Sequence, residues 1–317
     1  MIKGLMTIAA LLLALSAPGA HGGATSDAPK TSPWGANYFP NVPLVTQEGK
    51  TVLLYDDLIK DKKVLINFIY AGCEKACPLA TAKLAQVQRL LGDRVGRDIF
   101  IYSITLDPEH DTPEALKAYA EKYGAGPGWL FLTGKPEDIY IVRMKLGERR
   151  EDKEEHQNIV RIGNGTIGQW MKLPLFGDIS FLVNEIGKTL DPNWYKDKSV
   201  KSYEEAPRLA MPKEGQVLFR NRCAVCHTIG KGELRGPDLK GVTTRRERAW
   251  LARFIADPDR MRASQDPIAI ELYTKYNKMP MPNIGLTRTE VVDLISFLEA
   301  RTNDLEGKER ESPIADP

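Results

Sequence analysis

The sequence predicts an α/β layer domain followed by a small all-α domain. Three observations carry this. The stretches "KVLINFIY" (63–70), "IFIYSITL" (99–106) and "WLFLTG" (129–134) are apolar on nearly both faces, as strands in the middle of a sheet are, and helical patterns alternate with them. Residues 191–210, "DPNWYKDKSVKSYEEAPRLA", are polar and without periodicity, which places a domain boundary there. Beyond that stretch only helical patterns recur. The expected layout is an export signal at 1–24, the α/β domain at 25–192, a linker at 193–209, the helical domain at 210–303 and a disordered tail at 304–317.

Taken in order, the start carries Lys3, an apolar run from Leu5 to Leu15, and small residues around Ala20 and Ala24. This reads as a secretory signal, too short for the roughly 20 apolar residues of a membrane span. The mature protein is therefore expected in the periplasm or another exported location. Membrane contact would come only through an uncleaved signal or a membrane partner. The 44 basic and 42 acidic residues leave a formal charge of +2, which argues against a broad nucleic-acid or anionic-membrane surface.

After the first strand, Pro78 suits a first helical position, and Ala80, Leu84, Val87 and Leu91 form one buried stripe, so Cys77 falls at a helix start. Thr112 caps a helix opened by Pro113 and closed by Gly124, and 137–147 is a further helix. In "HQNIVRIGNGTIGQW" (156–170) two apolar runs flank Asn164-Gly165, a hairpin signal. Gly163, Gly165 and Gly168 there match G-x-G-x-x-G, but a dinucleotide site needs that motif to open a helix. In the second domain, 213–222 and 247–256 read as helices, and a Thr287…Glu290 capping box opens another that buries Val291, Leu294, Ile295 and Leu298.

The four cysteines form two pairs with different spacings. In an exported protein two disulfides are the plainest reading. "CAVCH" (223–227) points elsewhere, because C-x-x-C-H lets both thiols bond to haem vinyl groups while the imidazole ligates the iron. Residues 213–301 resemble a class I cytochrome c domain in motif and element order. The resemblance implies that Cys223 and Cys226 carry covalent haem c, with His227 as the proximal ligand and its orientation fixed by the Pro237 carbonyl of "GPDL". The distal ligand comes from "KMPMPNIGLT"; the loop pattern M-P-N-x-G-L favours Met281 over Met279. A thioether opposite an imidazole raises the iron potential and suits electron transfer.

"AGCEKACPLA" (71–80) has one residue too many for that turn and lacks the histidine. Two sulfurs near a positive helix end favour thiolates, which can close a disulfide or, with one more ligand, bind a soft metal such as copper. This stretch, with "TLDPEHDTPEALKAYAEKYG" and "WLFLTG" after it, resembles the Sco/SenC family of thioredoxin-like copper proteins over roughly 35–190. The resemblance implies a copper site of Cys73, Cys77 and a distant histidine. His156 fits best, preceding "NIVRIGNG"; a competing alignment lays "ISFLVNEIGK" on the same strand and puts Phe176 at the ligand position. His110 reads as a solvated residue and His21 as part of the signal region, while Asp107 and Asp111 border the site.

The function implied is that of an exported copper-binding and electron-transfer protein, acting in maturation or redox maintenance of the copper centre of a respiratory cytochrome oxidase. Its partners would be that oxidase or its assembly factors, and another redox protein. Two alternatives stay open. One is a haem-linked thiol-disulfide oxidoreductase or peroxide reductase in which Cys73 and Cys77 attack and resolve. The other is a simple c-type electron carrier with a docking domain.

Overall fold

The computed structural model describes residues 34–191, 193–194 and 213–311, with side chains to 307. The segment expected to be an export signal and nearly all of the expected linker lie outside the described residues. In the first half, β1 (Pro43–Thr46) and β2 (Thr51–Leu53) precede β3 (Lys63–Ile69), α1 (Cys77–Leu91), β4 (Ile99–Thr105), α2 (Pro113–Tyr123), β5 (Trp129–Thr133) and α3 (Pro136–Leu146). Then come β6 (Ile159–Asn164), β7 (Gln169–Pro174) and α4 (Ile179–Leu190). One sheet runs β2-β1-β5-β4-β3-β6-β7. Strands β3, β4 and β5 are parallel, whereas β6 runs antiparallel to β3 and β1 antiparallel to β5.

β3 sits between β4 and β6 and is apolar without alternation because both its faces are covered: Val64, Leu65, Ile66 and Ile69 have no exposed surface. Its carboxyl end opens into residues 70–76, and α1 begins at Cys77 with Pro78 next. The Thr112 hydroxyl accepts from the Ala115 N–H, and Gly124 closes α2 in the left-handed conformation, as the sequence implies.

Three expectations change. The hairpin between β6 and β7 pairs Asn164 with Gln169, so its loop is the four residues 165–168 rather than a turn centred on Asn164-Gly165. Gly168 takes the positive φ, and Gly165 is a glycine because it lies against the Ile59 carbonyl. "ISFLVNEIGK" is helix α4, capped by Asp178, so the alignment placing Phe176 at the ligand position fails. Trp194, assigned to the linker, packs on the first core.

The second half is helical: α5 (Glu214–Leu218), α6 (Val242–Arg245), α7 (Arg248–Ala256), α8 (Pro258–Ala263), α9 (Pro267–Lys275) and α10 (Arg288–Glu311). The helix expected over 213–222 narrows to α5, followed by one wider turn over Phe219–Cys223. The Thr287–Glu290 capping box forms as expected, and Val291, Leu294, Ile295 and Leu298 enter a second apolar core. The tail expected to be disordered from 304 is helical to Glu311. Two contacts account for this: Thr302 accepts from the Gly241 N–H at 3.1 Å, and Leu305 packs on the second core, so α10 keeps partners past its expected end.

The halves touch. Val225 is buried in the first core, and Cys226, Met279 and Ile284 pack against it. Lys122 donates to the Lys278 carbonyl at 2.9 Å, Arg220 pairs with Asp178 at 3.1 Å, and Arg235 donates to the Tyr123 carbonyl. No described helix is long and apolar enough to cross a membrane.

Candidate functional site

The first site forms where β3 ends. Asp111, buried at the β4–α2 junction, accepts from the Ala71 N–H and from the Thr105 hydroxyl, which pins the loop that leads into the cysteines. Both cysteines are free thiols, and both are buried. They differ in charge. Hydrogen bonding from the Cys77 thiol, helped by the Tyr70 hydroxyl and opposed by burial, lowers the Cys73 pKa to about 6. Burial pushes Cys77 well up. Cys73 is therefore the thiolate at neutral pH and Cys77 the protonated donor, although the helix-start argument applies most directly to Cys77.

His156 is brought to this pair from the chain segment before β6. Its Nδ1 donates to the Lys153 carbonyl at 2.8 Å, which leaves Nε2 as the free lone pair, and Nε2 stands 3.5 Å from Cys77 Sγ. For comparison, a sulfur at about 2.3 Å and a nitrogen at about 2.0 Å from one tetrahedral metal ion lie about 3.5 Å apart. His156 is buried, not the exposed member of a charged loop. Three contacts fix its segment: Lys75 pairs with Glu154, Lys153 pairs with Asp107 at 2.6 Å, and the Gln157 N–H donates to Glu148 Oε2 at 3.2 Å. Glu148 itself is buried against Arg161. Among the described residues no three His, Cys, Asp or Glu side chains already stand in a metal-holding cluster; Cys77 donates to Cys73, and the His156 Nε2 lone pair approaches Cys77 from the other side. His110 is 74% exposed and bonds to Asp107 at 2.9 Å, outside this group.

The second site is a cavity of about 440 Å³, a size common among cofactor sites, lined by Cys223, Cys226, His227, Met279, Met281 and Arg262. After α5 the chain turns tightly, with the N–H groups of Cys226 and His227 donating to the Cys223 carbonyl. His227 Nδ1 donates to the Pro237 carbonyl at 2.9 Å, so Nε2 is left for a metal. Gly236 lies flat on the imidazole, where an added Cβ would come within 2.6 Å of Cε1. Asp238 holds this loop by accepting from Thr228, Gly230, Gly232 and Lys240. The partial exposure of Cys223, Cys226 and His227 faces the cavity and not bulk water, and burial holds the two thiols up at about 12 and about 11 and lowers the proton affinity of His227. Neutral imidazole, two paired thiols and nearby thioethers are a donor set that fits covalent haem c. Met279 packs against the first core and Met281 against the second.

Sequence reasoning missed Tyr70, Glu74, Glu148, Arg161 and Arg262. Only Tyr70 left a trace, as a hydroxyl at the carboxyl end of a central strand.

Comparison with known proteins matches the two halves separately. Residues 36–164 match the SCO1/SenC family model and residues 212–302 the cytochrome c model. The SCO1 protein homolog of Bacillus subtilis is 38% identical over 89 residues, which are 28% of this chain and 45% of that protein. Protein SenC of Rhodobacter capsulatus is 32% identical over 96 residues, 30% of this chain and 41% of that one. The chain thus spans less than half the length of either relative. Solved structures of ScoI with copper bound from Bradyrhizobium japonicum (24% identical, TM-score 0.40) and Arabidopsis thaliana (22%, TM-score 0.40) cover 48% and 47% of this chain and 100% and 96% of their own. This chain joins a domain that matches the SCO1/SenC family to a C-terminal domain that matches cytochrome c, in which Cys223, Cys226 and His227 fit covalent haem c.

Proposed function

We propose that this protein is an exported copper-binding and electron-transfer protein, in which Cys73, Cys77 and His156 bind copper beside a haem c ligated by His227 and Met281. It acts in maturation or redox maintenance of the copper centre of a respiratory oxidase, with that oxidase or its assembly factors as partner and a further redox protein as electron donor or acceptor. The observation that carries the reading is the 3.5 Å approach of His156 Nε2 to Cys77 Sγ, with Nδ1 turned away onto the Lys153 carbonyl. The match to the SCO1/SenC family model supports it.

Copper is the cargo. Cys73 offers a thiolate before binding, whereas Cys77 gives up its proton as copper binds, so one proton leaves per copper taken up. Two thiolates and an imidazole suit copper(I) in a buried, low-dielectric pocket. Haem c, when bound, exchanges single electrons. The chain's own part is to orient His227 through Pro237, to hold the methionine loop, and to exclude water with the second apolar core.

The test is a copper(I) titration of the reduced, haem-loaded protein beside His156→Ala, read by metal stoichiometry and copper–thiolate absorption. One tight copper per chain that weakens at least tenfold in the variant supports the site; wild type without tight copper sinks it. A thiol-disulfide oxidoreductase is the second reading, favoured by the unequal thiols: the thiolate at Cys73 attacks and the protonated Cys77 resolves. Disulfide turnover that persists in copper-free protein supports that alternative.

A further inference from the structure

Arg262 stands where the two sites meet. It is 9% exposed and lines the cavity that holds Cys223, Cys226 and His227. Its guanidinium donates to Asp259 Oδ1 at 2.8 Å, to Glu74 Oε2 at 2.7 Å and to the Met281 carbonyl at 3.4 Å, and it lies over the Tyr273 ring at 5.3 Å. Asp259 is a neighbour on α8. Glu74 comes from the other half of the chain, 188 residues away, and directly follows Cys73 inside the five-residue cysteine loop. A single buried cation therefore draws one counter-charge from the thiol loop and grips the backbone of the methionine loop. The planar fork of arginine lets one side chain reach these acceptors at once, and its charge is what the haem cavity senses.

We propose that Arg262 is a positioning residue that couples the two sites, so that the thiol loop sets part of the reduction potential of the haem. The inference rests on the reading that the cavity holds haem c and the thiol loop binds copper. A cation at the cavity wall disfavours the more positive, oxidised iron and so raises the potential, and Glu74 cancels part of that field. When copper(I) binds at Cys73 and Cys77, one proton leaves as one cation arrives, so the net charge of the loop is kept, but its shape and charge distribution change and the Glu74 contact changes with them. Coupling of this kind is reciprocal: whatever factor copper imposes on the haem equilibrium, the oxidation state of the haem imposes on copper affinity.

The experiment is spectroelectrochemistry of the full-length, haem-loaded protein with its thiols reduced, in wild type, Arg262→Gln, Arg262→Lys and Glu74→Gln, without copper and with one equivalent of copper(I). Without copper, Arg262→Gln is expected to lower the potential, Glu74→Gln to raise it, and Arg262→Lys to stay near wild type, with the ferric methionine–iron charge-transfer band retained in all. Opposite signs identify the charge pair, because simple loosening of the methionine loop moves both neutral variants the same way. Copper is expected to shift the wild-type potential and to leave Arg262→Gln unmoved. Equal-signed shifts, or none, overturn the proposal, as does a wild type that binds copper with no change in potential. Failure to bind copper at all sinks the copper reading alone, since the opposed shifts are measured without the metal.

Discussion

His156 Nε2 lies 3.5 Å from Cys77 Sγ although 79 residues separate the two. The sheet register brings them together. β6 runs antiparallel to β3, with Lys63 opposite Asn164 and Ile66 opposite Arg161, so continuing past the last pair sets the residues before β6 beside the carboxyl end of β3. The same strand supplies Arg161, whose buried partner Glu148 accepts the Gln157 N–H next to the histidine. Removing one member of a buried ion pair leaves the other charge without compensation. Glu148→Ala is therefore expected to cost about 3 kcal/mol in chemical denaturation, and to weaken copper binding with all three ligand residues intact. Unchanged affinity would show that the ion pair does not position His156.

The unequal thiols predict a pH dependence. With the Cys73 pKa at about 6, the alkylation rate of Cys73 by iodoacetamide, followed by peptide mass in the reduced, metal-free protein, should rise through pH 6 and level off above it. Cys77 should stay unmodified over that range because burial holds it protonated. Replacing Cys77 by Ala removes the largest stabilising hydrogen bond, and the Cys73 midpoint should then climb toward the ordinary thiol value of about 8.5. A midpoint unmoved by Cys77→Ala would assign the thiolate to some other cause.

What could be read from the sequence follows physical locality. β3, β4 and β5 are legible because strands covered on both faces are apolar throughout, and "CAVCH" is legible because haem attachment compresses its chemistry into five consecutive residues. His156 was within reach only through family resemblance, since its meaning lies in the β3–β6 register. Glu74 and Arg262 left no local signal at all: their relation exists only once the two halves touch. The charge assignment at the cysteines misled for a related reason. A helix start favours a thiolate at Cys77, but the complete burial of that side chain outweighs the helix end.

Lys83 supplies a stability test at a residue that is a ligand of neither site. Its side chain is buried on α1, with Nζ donating to the Gly177 carbonyl at 2.7 Å, and burial lowers its pKa to about 8. Between pH 8 and about 10.4 the unfolded chain holds this proton and the folded chain does not, so the stability contribution rises with pH across that window. Lys83→Met should abolish that rise in thermal melts at pH 7.5 and 9.5. At pH 7 relief of the buried charge, discounted for solvent screening, should outweigh the lost bond to Gly177 by about 1 kcal/mol. A variant with the wild-type pH slope would contradict the assignment.

Gly236 tests the haem cavity through shape alone. Its φ is not in the left-handed region, so alanine is compatible with the backbone, and the obstacle is the His227 ring, with Cε1 at 2.6 Å, Nδ1 at 3.0 Å and Nε2 at 3.2 Å from the added Cβ. The ring has to leave its bond to the Pro237 carbonyl, or the loop held by Asp238 has to shift. Overpacking of this kind costs about 1–3 kcal/mol. Gly236→Ala should therefore melt earlier and, once haem-loaded, bind added imidazole at least tenfold more tightly than wild type because its own ligand is displaced. Gly307→Ala is the matched control: an added Cβ there meets nothing within 4 Å and it lies on α10 of the same half of the chain, so the haem spectrum should not change. If Gly236→Ala keeps the wild-type spectrum and imidazole affinity, His227 is not held in place by the packing of Gly236 against its ring.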